Sequence, residues 1–241
     1  MATDIQQTPF VKQLAANDRP TRDAALESLR TYLSGRRELP SLELMKLWKG
    51  LFYCMWMSDR PRTQQALANS LADLVSVLPS ETIIPFLRAF WQTMQREWTN
   101  IDVLRMEKFL LLTRRYLGAT FKAIEQRGWG EETVTEHLSL LMEVPCNVME
   151  MRVPNGMRFH VIDIYVDELE KVRLLGEEGR KATVERMLEP LRALAKGSPT
   201  KPVRIKAKEA LEDERLPGNA KVDEKGEEGA DEDDAWGGIE E

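Results

Sequence analysis

At 241 residues, of which 42% are hydrophobic and 31% charged, the chain is long enough for one large domain or two small ones and can fill a core. Its longest unbroken apolar run, Leu51 to Met57, falls far short of the roughly 18 residues of a membrane-spanning helix, and MATDIQQTPF has no basic region followed by an apolar stretch, so a soluble protein with neither membrane segment nor secretory signal is expected. The formal charge of -6 hides an asymmetry: residues 212–241 hold 13 acidic and 3 basic side chains, a net of -10, which leaves a body of net +4.

Helical periodicity runs through the body, and no segment alternates as a strand would. Residues 9–16 are expected to form a short first helix, and Asn17-Asp18 to start a second from Pro20 to about Ser34 through Ala25, Leu26, Leu29 and Leu33. Gly35-Arg36-Arg37 then ends it, with cations where the helix dipole favours them. The central stretch follows, SLELMKLWKGLFYCMWMSDRPRTQQALANSLADLVSVL. Leu44, Leu47, Trp48, Leu51, Phe52, Met55 and Trp56 recur at spacings of three and four and cover more than half of a helix circumference, so that helix must be buried. Ser41 is the expected cap. Ser58-Asp59-Arg60-Pro61 makes a corner, with Asp59 capping a second helix that runs to Leu78, because proline cannot continue a helix but suits the first turn of the next.

Ser80 is expected to cap a helix to about Trp98, and Asn100 to open the longest one, to about Gln126. Arg105, Lys108, Arg115 and Lys122 fall near one line on that helix and read as a basic face. Gly128-Trp129-Gly130 breaks the chain before a helix from Glu131 to Val144. Further helices are expected at Met157 to Leu175, Lys181 to Ala195 and Lys201 to Leu211. The fold class is therefore all-α, with antiparallel helix pairs of about 35 to 45 residues that match the period of a HEAT-like helical solenoid, or else a compact helical bundle. The domain division is an all-helical 1–211 and an acidic low-complexity tail 212–241, which cannot bury apolar surface and is expected to be disordered alone. Trp236, amid Asp231 to Asp234, is the candidate partner-binding anchor there.

No Gly-rich phosphate loop, serine elbow or CxxC pair is present, so no cofactor and no catalytic residue is expected. His160, Asp163 and Asp167 share a helical face, as a metal site would, but the same carboxylates form the solvated face opposite Ile162, Tyr165 and Leu169. Cys54 and Cys146 read as buried thiols of a reducing compartment. The basic residues are the better lead. Arg36, Arg37, Arg60, Arg62, Arg105, Lys108, Arg114, Arg115 and Lys122 are the RNA-binding candidates, joined by Lys201 to Lys208 near the end. The body's modest charge suits an auxiliary RNA contact. The apolar helices and the tail equally suit a protein-protein adaptor without RNA contact.

At Gly50-Leu51-Phe52-Tyr53-Cys54-Met55-Trp56-Met57-Ser58-Asp59-Arg60-Pro61 the chain resembles the nucleolar ribosomal RNA-processing protein 1 family, whose N-terminal domain carries a GLFYCMWMSDKP-like segment. Two further stretches agree: Trp98 to Asp102 through Lys108-Phe109-Leu110-Leu111-Leu112 with Arg114-Arg115, and Val153-Pro154-Asn155-Gly156 through Phe159 to Tyr165 and on to Asp167-Glu168-Leu169. Arg60 stands where that family often has lysine. The resemblance implies a non-catalytic assembly factor of the nucleus and nucleolus, acting on precursors of the large (60S) ribosomal subunit. It also implies as partners the pre-60S particle, precursor ribosomal RNA and other assembly factors, among them a WD-repeat propeller protein, with no membrane and no small-molecule substrate.

Overall fold

The computed structural model describes residues 13, 14, 16, 18–176 and 179–219. Among them are ten α-helices and no strand: α1 (Arg19–Ser34), α2 (Ser41–Met57), α3 (Pro61–Ala72), α4 (Ser80–Glu97), α5 (Val103–Glu125), α6 (Glu131–Glu143), α7 (Asn155–Lys171), α8 (Lys181–Met187), α9 (Glu189–Gly197) and α10 (Lys201–Leu211). Short 3-10 turns, Asp73–Val77 and Trp98–Asn100, follow α3 and α4. The expected helix over residues 9–16 lies outside the described residues except for Gln13, Leu14 and Ala16, of which the first two are helical.

The helix boundaries differ from the sequence reading where capping or tertiary contacts intervene. Asp18 accepts from the Thr21 amide as expected of a cap, but Ser41 and Ser80 are first helical residues behind Pro40 and Pro79, and Arg60, not Asp59, precedes α3. The long helix starts at Val103 because the Asp102 carboxylate takes the Arg105 amide. α3 stops at Ala72 and tightens into a 3-10 turn. The Tyr116 hydroxyl donates at 2.5 Å to the Leu71 carbonyl, the acceptor that Val75 would use in a continuing α-helix. The single helix expected over 181–195 is two, since Pro190 has no amide to offer the carbonyl four residues back.

The helices stack in two layers. Lys108, near the start of α5, reaches the Ser58 carbonyl just before α3, while Tyr116, two turns on, reaches Leu71 near its end, so α3 and α5 run side by side in the same direction. His160 against Leu110 and Arg114 against Asp167 and Glu168 set α7 beside α5 in the same sense. Lys206 against Asp163 adds α10 to α7. The second layer joins α2 to α4, α4 to α6 and α6 to α9. The helices of the four pairs α2–α3, α4–α5, α6–α7 and α9–α10 thus meet their equivalents in the neighbouring pairs, which is the packing of a solenoid.

Between the layers lies one continuous core. Its centre is Trp48, fully buried, with ring centroids 5.2, 4.9 and 4.9 Å from Phe86, Phe90 and Tyr116; its indole N-H donates to the Phe86 carbonyl at 3.1 Å. Trp129 sits at a positive φ of 61° beside Gly128 at 67°, turning the chain from α5 into α6 while its ring stays buried. The packed body continues past Leu211: Leu216 is buried, and Arg215 pairs with Asp213, Asp167 and Glu170.

Candidate nucleic-acid interface

The line of cations on α5 divides by what each one touches. Lys108 is 4% exposed, and its ammonium donates to the carbonyls of Trp56 at 2.6 Å and Ser58 at 2.7 Å, closing the end of α2. Burial holds its pKa below the usual lysine value, against the pull of Asp59. It therefore offers nothing to a phosphate, and the continuous basic face expected from spacing does not form. Arg105 pairs with Asp102 at 2.5 Å and lies over the Trp56 ring, 4.9 Å from its centroid. Arg114 is half-buried between Asp167 at 2.9 Å and Glu168 at 2.6 Å, which neutralises it.

Arg115 and Lys122 behave otherwise. They line a cleft of about 620 Å³ between the end of α3, α5 and the end of α7, whose other walls include Asn69, Ser76, Lys171 and the carboxylates Asp73, Glu125 and Glu168. Neither makes an ion pair among the described residues, and the Arg115 Nε is buried without an acceptor. Gly118 is on the same wall. A Cβ there would come within 2.6 Å of a Glu168 carboxylate oxygen, so the glycine is what lets α7 close on α5. Lys171, which the sequence reading passed over, also faces the cleft and holds Glu168 at 2.6 Å; its spacing of three from Glu168 on one helix was the available signal.

The corner cations are exposed. Arg36 stacks on Tyr32, 5.0 Å from the ring centroid, with Arg37 beside it after α1. Arg62 lines a smaller hollow of about 340 Å³ between α1 and α3. Arg60 is exposed at the α2–α3 corner, beside the exposed Asp59. Among the later lysines, Lys206 is held by Asp163 at 2.5 Å, whereas Lys201 and Lys208 are exposed. Trp236 lies outside the described residues.

His160, Asp163 and Asp167 do not converge. The His160 Nε2 meets the Leu110 carbonyl at 2.8 Å, Asp163 goes to Lys206, and Asp167 to Arg114 and Arg215. Among the described residues no cluster of three or more His, Cys, Asp or Glu side chains is placed to hold a metal ion. The two thiols are buried, which pushes Cys54 and Cys146 up to about 12. Arg158 is buried too, but as a structural cation: it donates to the carbonyls of Asn147, Glu150 and Val153 and so ties the connection before α7 to that helix.

Residues 5–237 match the family model described as nucleolar protein Nop52. Among curated relatives, the chain is 43% identical over 182 residues to ribosomal RNA processing protein 1 homolog B of Homo sapiens, covering 71% of this chain and 24% of that protein. It is 41% identical over 181 residues to the human homolog A, covering 71% and 39%, and 33% identical over 177 residues to the Drosophila melanogaster homolog, covering 69% and 25%. The chain thus spans between about a quarter and two fifths of the length of these relatives. It belongs to the ribosomal RNA-processing protein 1 family, the Nop52 nucleolar proteins.

Proposed function

We propose that this chain is a non-catalytic scaffold of ribosome biogenesis, which in the nucleolus binds precursor ribosomal RNA and neighbouring factors on precursors of the large ribosomal subunit. Its mechanism is binding, with no bond broken by this chain. The observation that carries the RNA contact is the cleft beside α5, where Arg115 and Lys122 have no carboxylate partner while Arg105 and Arg114 on the same helix do. Phosphate oxygens accept from guanidinium and ammonium donors, and Arg115 and Lys122 are the two α5 cations at this cleft without an ion pair among the described residues. Arg62 at the start of α3 and Arg36 and Arg37 after α1 are further exposed cations. Family membership supports the particle, and the relatives' names support the ribosomal RNA.

Binding to single-stranded precursor RNA measured across salt concentrations tests this reading. Each phosphate contact contributes about 0.7 to the log-log slope, so Arg115→Glu with Lys122→Glu is expected to flatten the slope by about 1.4 and weaken binding at low salt. Lys108→Met should leave the slope alone. A protein that sediments with large-subunit precursors and crosslinks to precursor RNA through peptides around Arg115 supports the scaffold. A flat salt dependence, with the protein at the top of the gradient, favours instead the adaptor that contacts only proteins.

A further inference from the structure

Four helix-helix connections lie along one edge of the stack. The α2–α3 corner is clamped to the start of α5 by Lys108, and the indole nitrogen of Trp98, in the α4–α5 connection, lies 3.2 Å from a Cβ built on Gly156 at the start of α7. A Cβ on Gly197, ending α9, would sit 3.0 Å from Val148 of the α6–α7 connection. This edge carries Met57, Val103, Leu104, Met149 and Met151, which are 63, 87, 93, 75 and 71% exposed. They are five of the eight large hydrophobic side chains exposed among the described residues, so the apolar surface is concentrated here and not scattered. Helix geometry explains the position of Leu104. It stands one turn before Lys108 on the face of α5 that looks toward the α2–α3 corner, and the corner ends before covering it.

The charge on this edge is net positive. Asp102 is taken by Arg105, Glu150 by Arg152 and Glu97 by Arg96, while Asp59 at the α2–α3 corner and Glu107 on α5 are exposed. Arg60 at one end, with Lys196 and Lys201 at the other, are exposed and have no ion pair among the described residues. We infer that this connection edge is a docking surface for a protein segment that sets apolar side chains against Met57, Val103 and Leu104 and carries an excess of Asp and Glu for Arg60 and the distal lysines. The inference uses residues other than Arg115 and Lys122, so α5 serves two ligands: RNA along its flank and protein at its first turn.

The test is a photo-crosslinking amino acid placed at Leu104 in the full chain, with a second version at Arg115, irradiated in nucleolar extract and read by sequencing of the crosslinked peptide or nucleotide. The expected product at Leu104 is a peptide in which acidic residues outnumber basic ones and lie beside apolar side chains. That peptide, synthesised, should bind the purified chain at least tenfold more weakly after Val103→Ser with Leu104→Ser. Thermal unfolding should stay unchanged, because both side chains are exposed. Arg60→Glu should weaken it further at low salt than at high salt. Crosslinking of Leu104 to RNA, to a second copy of this chain or to nothing overturns the inference, as does a double variant that binds the peptide unaltered. The Arg115 probe reports on the RNA surface alone, so failure of one reading leaves the other measurable.

Discussion

Lys108 shows how a single side chain changes its meaning between sequence and structure. Its stem is buried, and its ammonium donates to two backbone carbonyls that the end of α2 leaves open. Lys108→Met keeps the stem and removes the donors, so a loss of about 1–3 kcal/mol is expected in denaturant unfolding. The two histidines give a second expectation. His137 meets the Thr133 carbonyl through Nδ1 and His160 the Leu110 carbonyl through Nε2, and burial lowers the pKa of both below 6.5. The unfolded chain therefore binds protons more readily than the folded one as pH falls below 6.5. Stability is full above that value and declines as pH drops toward the folded pKa values. Unfolding midpoints compared between pH 7.5 and 5.5 check this, and His160→Gln should shrink the difference.

At the scale of elements, the α5–α7 contact is set by opposing preferences at one position. Gly118 lies in mid-helix, where alanine is intrinsically better by about 0.5–1 kcal/mol. A methyl there meets the Glu168 carboxylate, which is 5% exposed and pinned by Arg114 and Lys171. Gly118→Ala alone is thus expected to destabilise by about 1–2 kcal/mol, because displacing a buried carboxylate from its cations outweighs helix propensity. In a Glu168→Ala background the same change should instead stabilise by about 0.5–1 kcal/mol. A double-mutant cycle in urea reads the reversal. Helices of this kind were legible in advance because an apolar stripe such as Leu44, Trp48, Leu51 and Met55 is a local property of the chain. Whether a cation on such a helix faces water is not local. Lys108 and Arg115 occupy the same line seven residues apart, and what separates them is Ser58, 50 residues away, and Asn69 across the cleft. Capping failed for a related reason: Ser41 and Ser80 follow prolines that already hold an extended backbone, which shifts the helix start by one residue.

At the scale of the molecule, repeated pairing spreads stability along the stack, since each pair leans only on its neighbours. The solenoid period was readable from helix-pair length, but the edge formed by the connections was not, because Met57, Leu104 and Met149 fall on one edge only when α3, α5 and α7 lie parallel. The family-marking segment Gly50 to Pro61 ends at that same edge. Most of it is core, and its last residues form the platform beside the exposed apolar side chains.

The two thiols follow from this architecture as natural clocks. Cys54 belongs to α2 near one end of the stack and Cys146 to the connection after α6, and burial keeps both in the unreactive protonated form. A thiol reagent can modify either one only during an excursion that uncovers it, so its rate measures how often that part of the ladder of helices breathes. Equal rates that track global unfolding would mark a body that opens all at once; a faster Cys54 would mark one that unzips from its first helices.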